Sequence, residues 1–428
     1  MQAEKLIIKS TDNLASYPVY YVKTDKFKSM VVGTLMFTPF QKDELAERAV
    51  LSALMAKSNG EYPDEQAFNI YLQNNYNMEI SAAPTRNGQV SMFSLYVTAI
   101  NNKYLDTDMD LFHESLHLLQ TALTKVDFDK RKIAQEKALL IQELQNVYNN
   151  KAQYATQQFI KAMFKDENLS IRSTGEIEDI EKINVSSLKK AHKQLLSFER
   201  VFVVIGDLEK ERVIEEFSKL VIPPVNTNLP QLAFLDLETK DIKEIQELVE
   251  VQNINQSIIC MGYRSEIRVN DDLYNGMFLL NGMLGGFFHS TLFQEIREKR
   301  SLAYYVGSDY NSRKGNMAVI AAVEKSNYEE VVKIVKETIK NYQDGKIDDE
   351  IIELTKKAYI NKVLKAEDAI LAFVPDIINE IAKFPISTVE EKIARLQTIT
   401  KEEVVRAAKA LKLDTIYFLK GDVNEESM

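Results

Sequence analysis

The 428-residue chain holds one cysteine and four histidines, and no apolar run in it is long enough to cross a bilayer. A single thiol, Cys260, excludes any internal disulfide and fits a reducing compartment. Its setting, QSIICMGYR, is expected to be a strand that buries it as a small hydrophobe. With no window near the roughly eighteen apolar residues that a spanning helix needs, no membrane helix is expected. The opening MQAEKLIIKSTDN lacks an apolar core followed by small residues, so no secretory signal is read and a cytoplasmic location is expected. The net charge of -10 provides no basic face for phosphates, which excludes nucleic acid as a general partner. Histidine is absent before position 113, so any histidine-ligated metal would have to lie further along. What is present, 45% hydrophobic and 27% charged residues, is the composition of an ordinary globular protein, long enough for two domains of about 200 residues each.

Two stretches align without a gap, LSFERVFVVIGDLEKE (196–211) and LKLDTIYFLKGDVNEE (411–426). Each reads as an apolar strand, then Gly-Asp, then acidic residues. Each follows a short helix opened by a hydroxyl cap, Ser186 in one copy and Thr400 in the other, with Glu403 placed for a capping box. Near the start of each half stands a β-rich run, KSMVVGTLMF (28–37) and QSIICMGYR (256–264). Between the halves, VIPPVNTNLPQLAFL carries Pro223, Pro224 and Pro230, three of nine prolines, and reads as a linker. The expected organisation is an N-terminal domain over 1–220, a linker over 221–245 and a C-terminal domain over 246–428. The fold class expected is α+β, two duplicated homologous domains, each an antiparallel sheet packed with helices.

The pentapeptide His113-Glu114-Ser115-Leu116-His117 fits H-E-x-x-H, in which two histidines one turn apart bind zinc and the glutamate activates water. Glu136, nineteen positions after His117, stands where a third ligand would be. At about 100° per residue, however, Leu111, Phe112, Ser115, Leu116, Leu118, Leu119, Ala122 and Leu123 share one face. His113 and His117 then lie opposite it, pointing to water alongside Gln120 and Thr121. A catalytic zinc needs them to face a walled cleft. His192 and His289 have no partner at ligand spacing.

The most distinctive run is LLNGMLGGFFHSTLFQEIREKRSLAYYVGSDY (279–310): a helix ending in Gly285-Gly286, a second helix from Ser290, then a strand. Its order of Gly-Gly, Ser, Leu-Phe, Arg-Glu-Lys and Leu-Ala-Tyr resembles the C-terminal homologous domain of the pitrilysin and mitochondrial-processing-peptidase metallopeptidases, the inverzincins. The duplication, linker and length fit that family too. The resemblance implies an inverted zinc motif, H-x-x-E-H, in the first domain, and this chain has none. In the equivalent region, ERAVLSALMAKSNGEYPDEQAFNIYLQNNYN, the ligands and base would fall near Leu51, Met55 and Leu54, which cannot bind zinc. Glu136 and Glu143 correspond to the family's later glutamates, and by charge pattern alone both are expected to be solvated.

What the resemblance retains is an arginine and a tyrosine seven residues apart, Arg297 and Tyr304. In the family the arginine holds a substrate carbonyl and the tyrosine hydroxyl donates to the oxyanion, and donors aimed at developing charge are a large catalytic effect. The implied role is a non-catalytic subunit without metal or cofactor of its own. It would enclose unfolded peptide substrate with a homologous zinc-bearing subunit. Two alternatives stay open: an autonomous zinc peptidase using His113, His117 and Glu136 as ligands with Glu114 as base, and a catalytically silent scaffold. Without the resemblance, Arg297 and Tyr304 would be an ordinary helix arginine and strand tyrosine.

Overall fold

The structure, a computed structural model, describes residues 4–8 as backbone and residues 18–225 and 233–422 in full. Pro230 and the acidic residues after Asp422 lie outside the described residues. Two compact units emerge, and neither is one continuous stretch. The first comprises Met1–Leu144, Ile171–Phe234 and Asp368–Lys383, and the second comprises Gln145–Ser170, Leu235–Glu367 and Phe384–Met428.

In the first unit, strands β1 (Glu4–Ile8), β2 (Val19–Lys23), β3 (Ser29–Pro39), β4 (Glu79–Asn87), β5 (Val90–Ile100) and β6 (Glu199–Gly206) form a sheet ordered β1-β2-β6-β3-β5-β4. The runs SMVVGTLMF and RVFVVIG are rich in β-branched residues and almost wholly buried, as suits central strands covered on both faces. By contrast β4 alternates exposed and half-buried residues, as suits an edge. Helices α1 (Leu45–Lys57), α2 (Glu65–Asn74), α3 (Leu111–Thr124) and α4 (Lys130–Asn149) also belong to this unit up to Leu144. The buried face of α3 packs with Met36, Phe93, Leu95 and Phe202 of the sheet in one apolar core.

In the second unit, β7 (Gln246–Gln252), β8 (Ser257–Arg264), β9 (Ala303–Asn311), β10 (Asn316–Val323) and β11 (Lys412–Gly421) are ordered β7-β11-β8-β10-β9. The connectivity repeats that of β2-β6-β3-β5-β4, which is the duplication read from the sequence. Each sheet is antiparallel but for one pair, β2 with β6 and β7 with β11, which run parallel. Helix α5 (Lys151–Met163), from the N-terminal half of the sequence, lays Ala155, Phe159 and Met163 against Ile258, Cys260, Tyr417 and Leu419. Gly262 of β8 makes room for it, since a Cβ there would stand 2.4 Å from Met163 Sδ and 2.7 Å from the Phe159 ring. Cys260 is fully buried as expected, and burial pushes its thiol far up from the usual range.

The local cues hold with one change. Thr400 caps its helix reciprocally with Glu403 as expected. In the first copy the cap is Asn184, which accepts from the N–H groups of Ser186 and Ser187, and not Ser186 itself. An asparagine at this position offers the same acceptor as a hydroxyl.

Candidate functional site

In the first unit, the residues standing where zinc ligands would fall are core. Leu51, Leu54 and Met55 are each 2% exposed or less. Leu51 and Leu54 pack with Val50, Ile133, Ile180, Ile183 and Leu188 in a single apolar cluster, so hydrocarbon fills the region. At the end of α1, Lys57 Nζ meets both oxygens of Glu136 on α4, at 2.7 and 2.9 Å. The expectation that Glu136 is solvated is therefore corrected: its side chain is 7% exposed, while Glu143 is exposed as expected. The reason lies in helix geometry. Glu136 shares a face with Ile133 and Leu140, which pack on that cluster, and its charge is tolerated there because an ammonium neutralises it.

The HESLH segment occupies the first turns of α3, with Asp110 as cap accepting from His113 N–H. All eight residues assigned to its apolar face are buried. Thr121, expected beside the histidines in water, is also buried, because this helix is covered on more than its main face. The histidines sit at the surface, and each is held by its own carboxylate. His113 Nδ1 lies 2.7 Å from Glu216, and His117 Nε2 lies 2.7 Å from Glu61. Glu114, the base of the zinc-peptidase alternative, accepts from Tyr71 Oη at 3.0 Å. Burial and the nearby Glu114 charge push that phenol well above its ordinary range. Burial alone would raise Glu216, but hydrogen bonds from Lys219 and His113 and the charge of Arg212 hold its carboxyl below the ordinary range. His192 is buried with Nε2 on the Leu123 carbonyl, and burial lowers its pKa. Among the described residues no group of three or more His, Cys, Asp or Glu side chains is arranged to hold a metal. His113, His117, Glu114 and Glu136 thus turn to four different partners.

In the second unit, the distinctive motif builds a turn of unusual geometry. The helix Tyr274–Asn281 runs on into a π-type turn at Gly282–Gly286. Gly285 is required by close approach, for a Cβ there would meet Ser308 N of β9 at 2.5 Å. A second helical stretch starts at Thr291, one residue after the expected Ser290, and becomes π-type over Phe293–Glu298. It ends as Ser301 takes a left-handed conformation with φ 52°, and Leu302 N–H bonds back to Ile296 O at 2.8 Å. The chain then enters β9.

This turn presents Arg297 and Tyr304 outward, 43% exposed at the arginine side chain and 78% at the tyrosine. The guanidinium rests over the Phe293 ring at 4.8 Å, and its Nε is 3.9 Å from Glu298. Among the described residues the Tyr304 hydroxyl has no hydrogen-bond partner. Both residues line one open concavity of about 480 Å³ with Gln256, Ser301, Leu302 and Glu324. Two residues escaped the sequence reading. Lys57 is the countercharge of Glu136, and Phe288, beside the glycine pair, is 79% exposed. Neither carries a sequence signal, because pairing and exposure depend on how distant segments meet.

A duplicated α+β plan, with apolar residues packed around Leu51 and Leu54 in the first copy and an exposed arginine and tyrosine in the second, is the arrangement that the resemblance to the inverzincins implies for a chain without the zinc motif. Comparison with known proteins finds similarity to the same group. Residues 182–359 match the family model "Peptidase M16 inactive domain". The chain is similar to a "Probable inactive metalloprotease" of Bacillus subtilis, at 29% identity over 94% of this chain and 95% of that one. An uncharacterized zinc protease of Streptomyces coelicolor is 22% identical over 77% of this chain and 72% of its own length. In fold, a conserved protein of Enterococcus faecalis superposes with a TM-score of 0.90 at 24% identity, covering all of both chains. A peptidase M16 inactive domain from Pseudomonas fluorescens superposes with a TM-score of 0.78 at 17% identity, again over all of both. Over nearly its whole length the chain is thus similar to a protein described as an inactive metalloprotease, and over residues 182–359 to the M16 inactive domain.

Proposed function

We propose that this chain is the non-zinc subunit of a two-chain peptidase, helping to enclose unfolded peptide and supplying Arg297 and Tyr304 to a homologous zinc-bearing subunit. The observation that carries this reading is that neither side chain is spent internally. An exposed tyrosine without a hydrogen bond and an arginine held only by a ring and a distant carboxylate have donors free for a substrate carbonyl and an oxyanion. Zinc would belong to the partner, since the residues at the first unit's ligand positions are aliphatic. A cytoplasmic setting suits the lone buried thiol, and no described helix is long and apolar enough to cross a membrane.

The test is reconstitution with an M16-type chain from the same genome that carries H-x-x-E-H, using an unfolded peptide as substrate. Cleavage is expected only from the pair. Arg297→Ala and Tyr304→Phe should each slow turnover roughly 10- to 1000-fold without lowering the unfolding midpoint. Chelator-sensitive cleavage by this chain alone, or full turnover in both variants, would overturn the reading.

A further inference from the structure

A second cavity, of about 260 Å³, opens in the second unit, where the segment after Asp236 crosses the end of β8 and the starts of β10 and β11. That is far above the ~10–15 Å³ one water needs. Its inner wall is cationic and buried. Arg264 gives Nε to Asp414 at 2.7 Å and Nη2 to Glu167 at 2.6 Å and to the Met163 carbonyl at 2.7 Å, which leaves Nη1 unspent. Arg268 gives Nε to the Asp236 carbonyl and Nη1 to the Glu266 carbonyl, both at 3.0 Å, which leaves Nη2 unspent. Lys314 differs, because its ammonium is saturated by Asp236, Glu167 and the Glu238 carbonyl. Asn316 also lines the cavity. It is 8% exposed, and its Oδ1 is buried with no partner. At the mouth stand the exposed carboxylates Glu238, Asp241 and Glu266 and the exposed ammonium groups of Lys412 and Lys240, the latter 3.9 Å from Asp414.

The interior therefore offers two unspent guanidinium nitrogens and one orphan acceptor beside cations already paired with Asp414, Glu167 and Asp236, and the mouth carries three carboxylates and two ammonium groups. A simple anion would satisfy the donors but leave Asn316 Oδ1 unpaired. A molecule with a carboxylate and a nearby ammonium satisfies both. Arginine suits the inner role because its planar, weakly hydrated fork pairs with carboxylates at low desolvation cost. We propose that this cavity binds a small zwitterion, a free amino acid or a dipeptide, with its carboxylate on Arg264 and Arg268 and its ammonium toward Asn316 Oδ1 and the rim carboxylates.

The test is titration calorimetry on the full chain with L-alanine, L-alanyl-L-alanine, L-alaninamide and inorganic phosphate. At least one of the two zwitterions is expected to bind saturably with a Kd below about 10 mM, and the tighter of the two identifies the source. Alaninamide, which has no carboxylate, should bind at least about tenfold more weakly, and Arg268→Gln should weaken the zwitterion by a similar factor. Should Arg268→Gln fail to fold, Asn316→Leu serves instead. It removes the orphan acceptor at similar size, so its unfolding midpoint should hold or rise while binding falls by about tenfold. Absence of binding by both zwitterions, equal binding of alaninamide, binding of phosphate alone, or wild-type affinity in Asn316→Leu would each overturn the assignment.

Discussion

Shortening Lys57 to alanine tests whether an ion pair is what makes the burial of Glu136 tolerable. Glu136 has a side chain only 7% exposed and both its oxygens on the Lys57 ammonium. Breaking a fully buried pair from one side costs about 3–5 kcal/mol, because the remaining charge is stranded. An exposed pair is worth about 0–1 kcal/mol. Lys57 is 37% exposed, so water reaches the site once the lysine is gone, and the expected loss falls between these limits, about 1–3 kcal/mol. Replacing both residues, as Lys57→Met with Glu136→Leu, removes the stranded charge and extends the apolar cluster of Leu51, Leu54 and Ile133. That double variant should be within about 1 kcal/mol of the parent or more stable. The assay is urea denaturation of Lys57→Ala, of Lys57→Met and Glu136→Leu singly and of their double, followed by far-UV circular dichroism, with the Met/Leu cycle yielding a coupling of at least about 1 kcal/mol. A Lys57→Ala loss below about 0.3 kcal/mol, or additive single and double effects, would refute the idea that this pair makes burial of Glu136 tolerable.

Other outcomes follow from the same structure. Leu54→Glu, which puts a carboxylate within an apolar cluster, should destabilise by more than about 3 kcal/mol in an unfolding titration, because its neighbours there are hydrocarbon. Gly285→Ala should cost about 1–3 kcal/mol by thermal unfolding, since its Cβ meets the backbone of β9 at 2.5 Å. Acid stability should depend on Glu216, whose carboxyl is held below its unfolded value of 4.5. A depressed carboxylate stabilises the fold above the unfolded pKa, and that stabilisation is lost as pH falls below about 4.5 and through the lower folded value. Glu216→Gln should therefore flatten the acid limb of stability against pH, and an unchanged limb would exclude this group.

Much of the fold was legible because it rests on local chemistry. The β-branched and apolar runs at β3, β6, β8 and β11 announced strands, and the helical period of LFHESLHLLQTAL placed all eight residues of its apolar face, though not the burial of Thr121. The Gly-Gly to Tyr motif was legible because a backbone approaching β9 at Gly285 tolerates no side chain. Glu136 was misread because a single helix shows a carboxylate beside leucines but not the lysine that reaches it from α1, 79 residues earlier.

By itself, then, the sequence determined that the chain repeats one α+β plan, that its first copy cannot bind zinc through H-x-x-E-H, and that Arg297 and Tyr304 remain. Period, composition and the absence of histidine before position 113 are one-dimensional properties. Only the tertiary structure decided that hydrocarbon and a Lys57–Glu136 pair occupy the vacated region, that each HESLH histidine has its own carboxylate, and that the arginine and tyrosine share one open concavity. It also decided that α5 joins the second sheet. Such pairings join residues tens to hundreds of positions apart, and burial and charge are set by what meets in space.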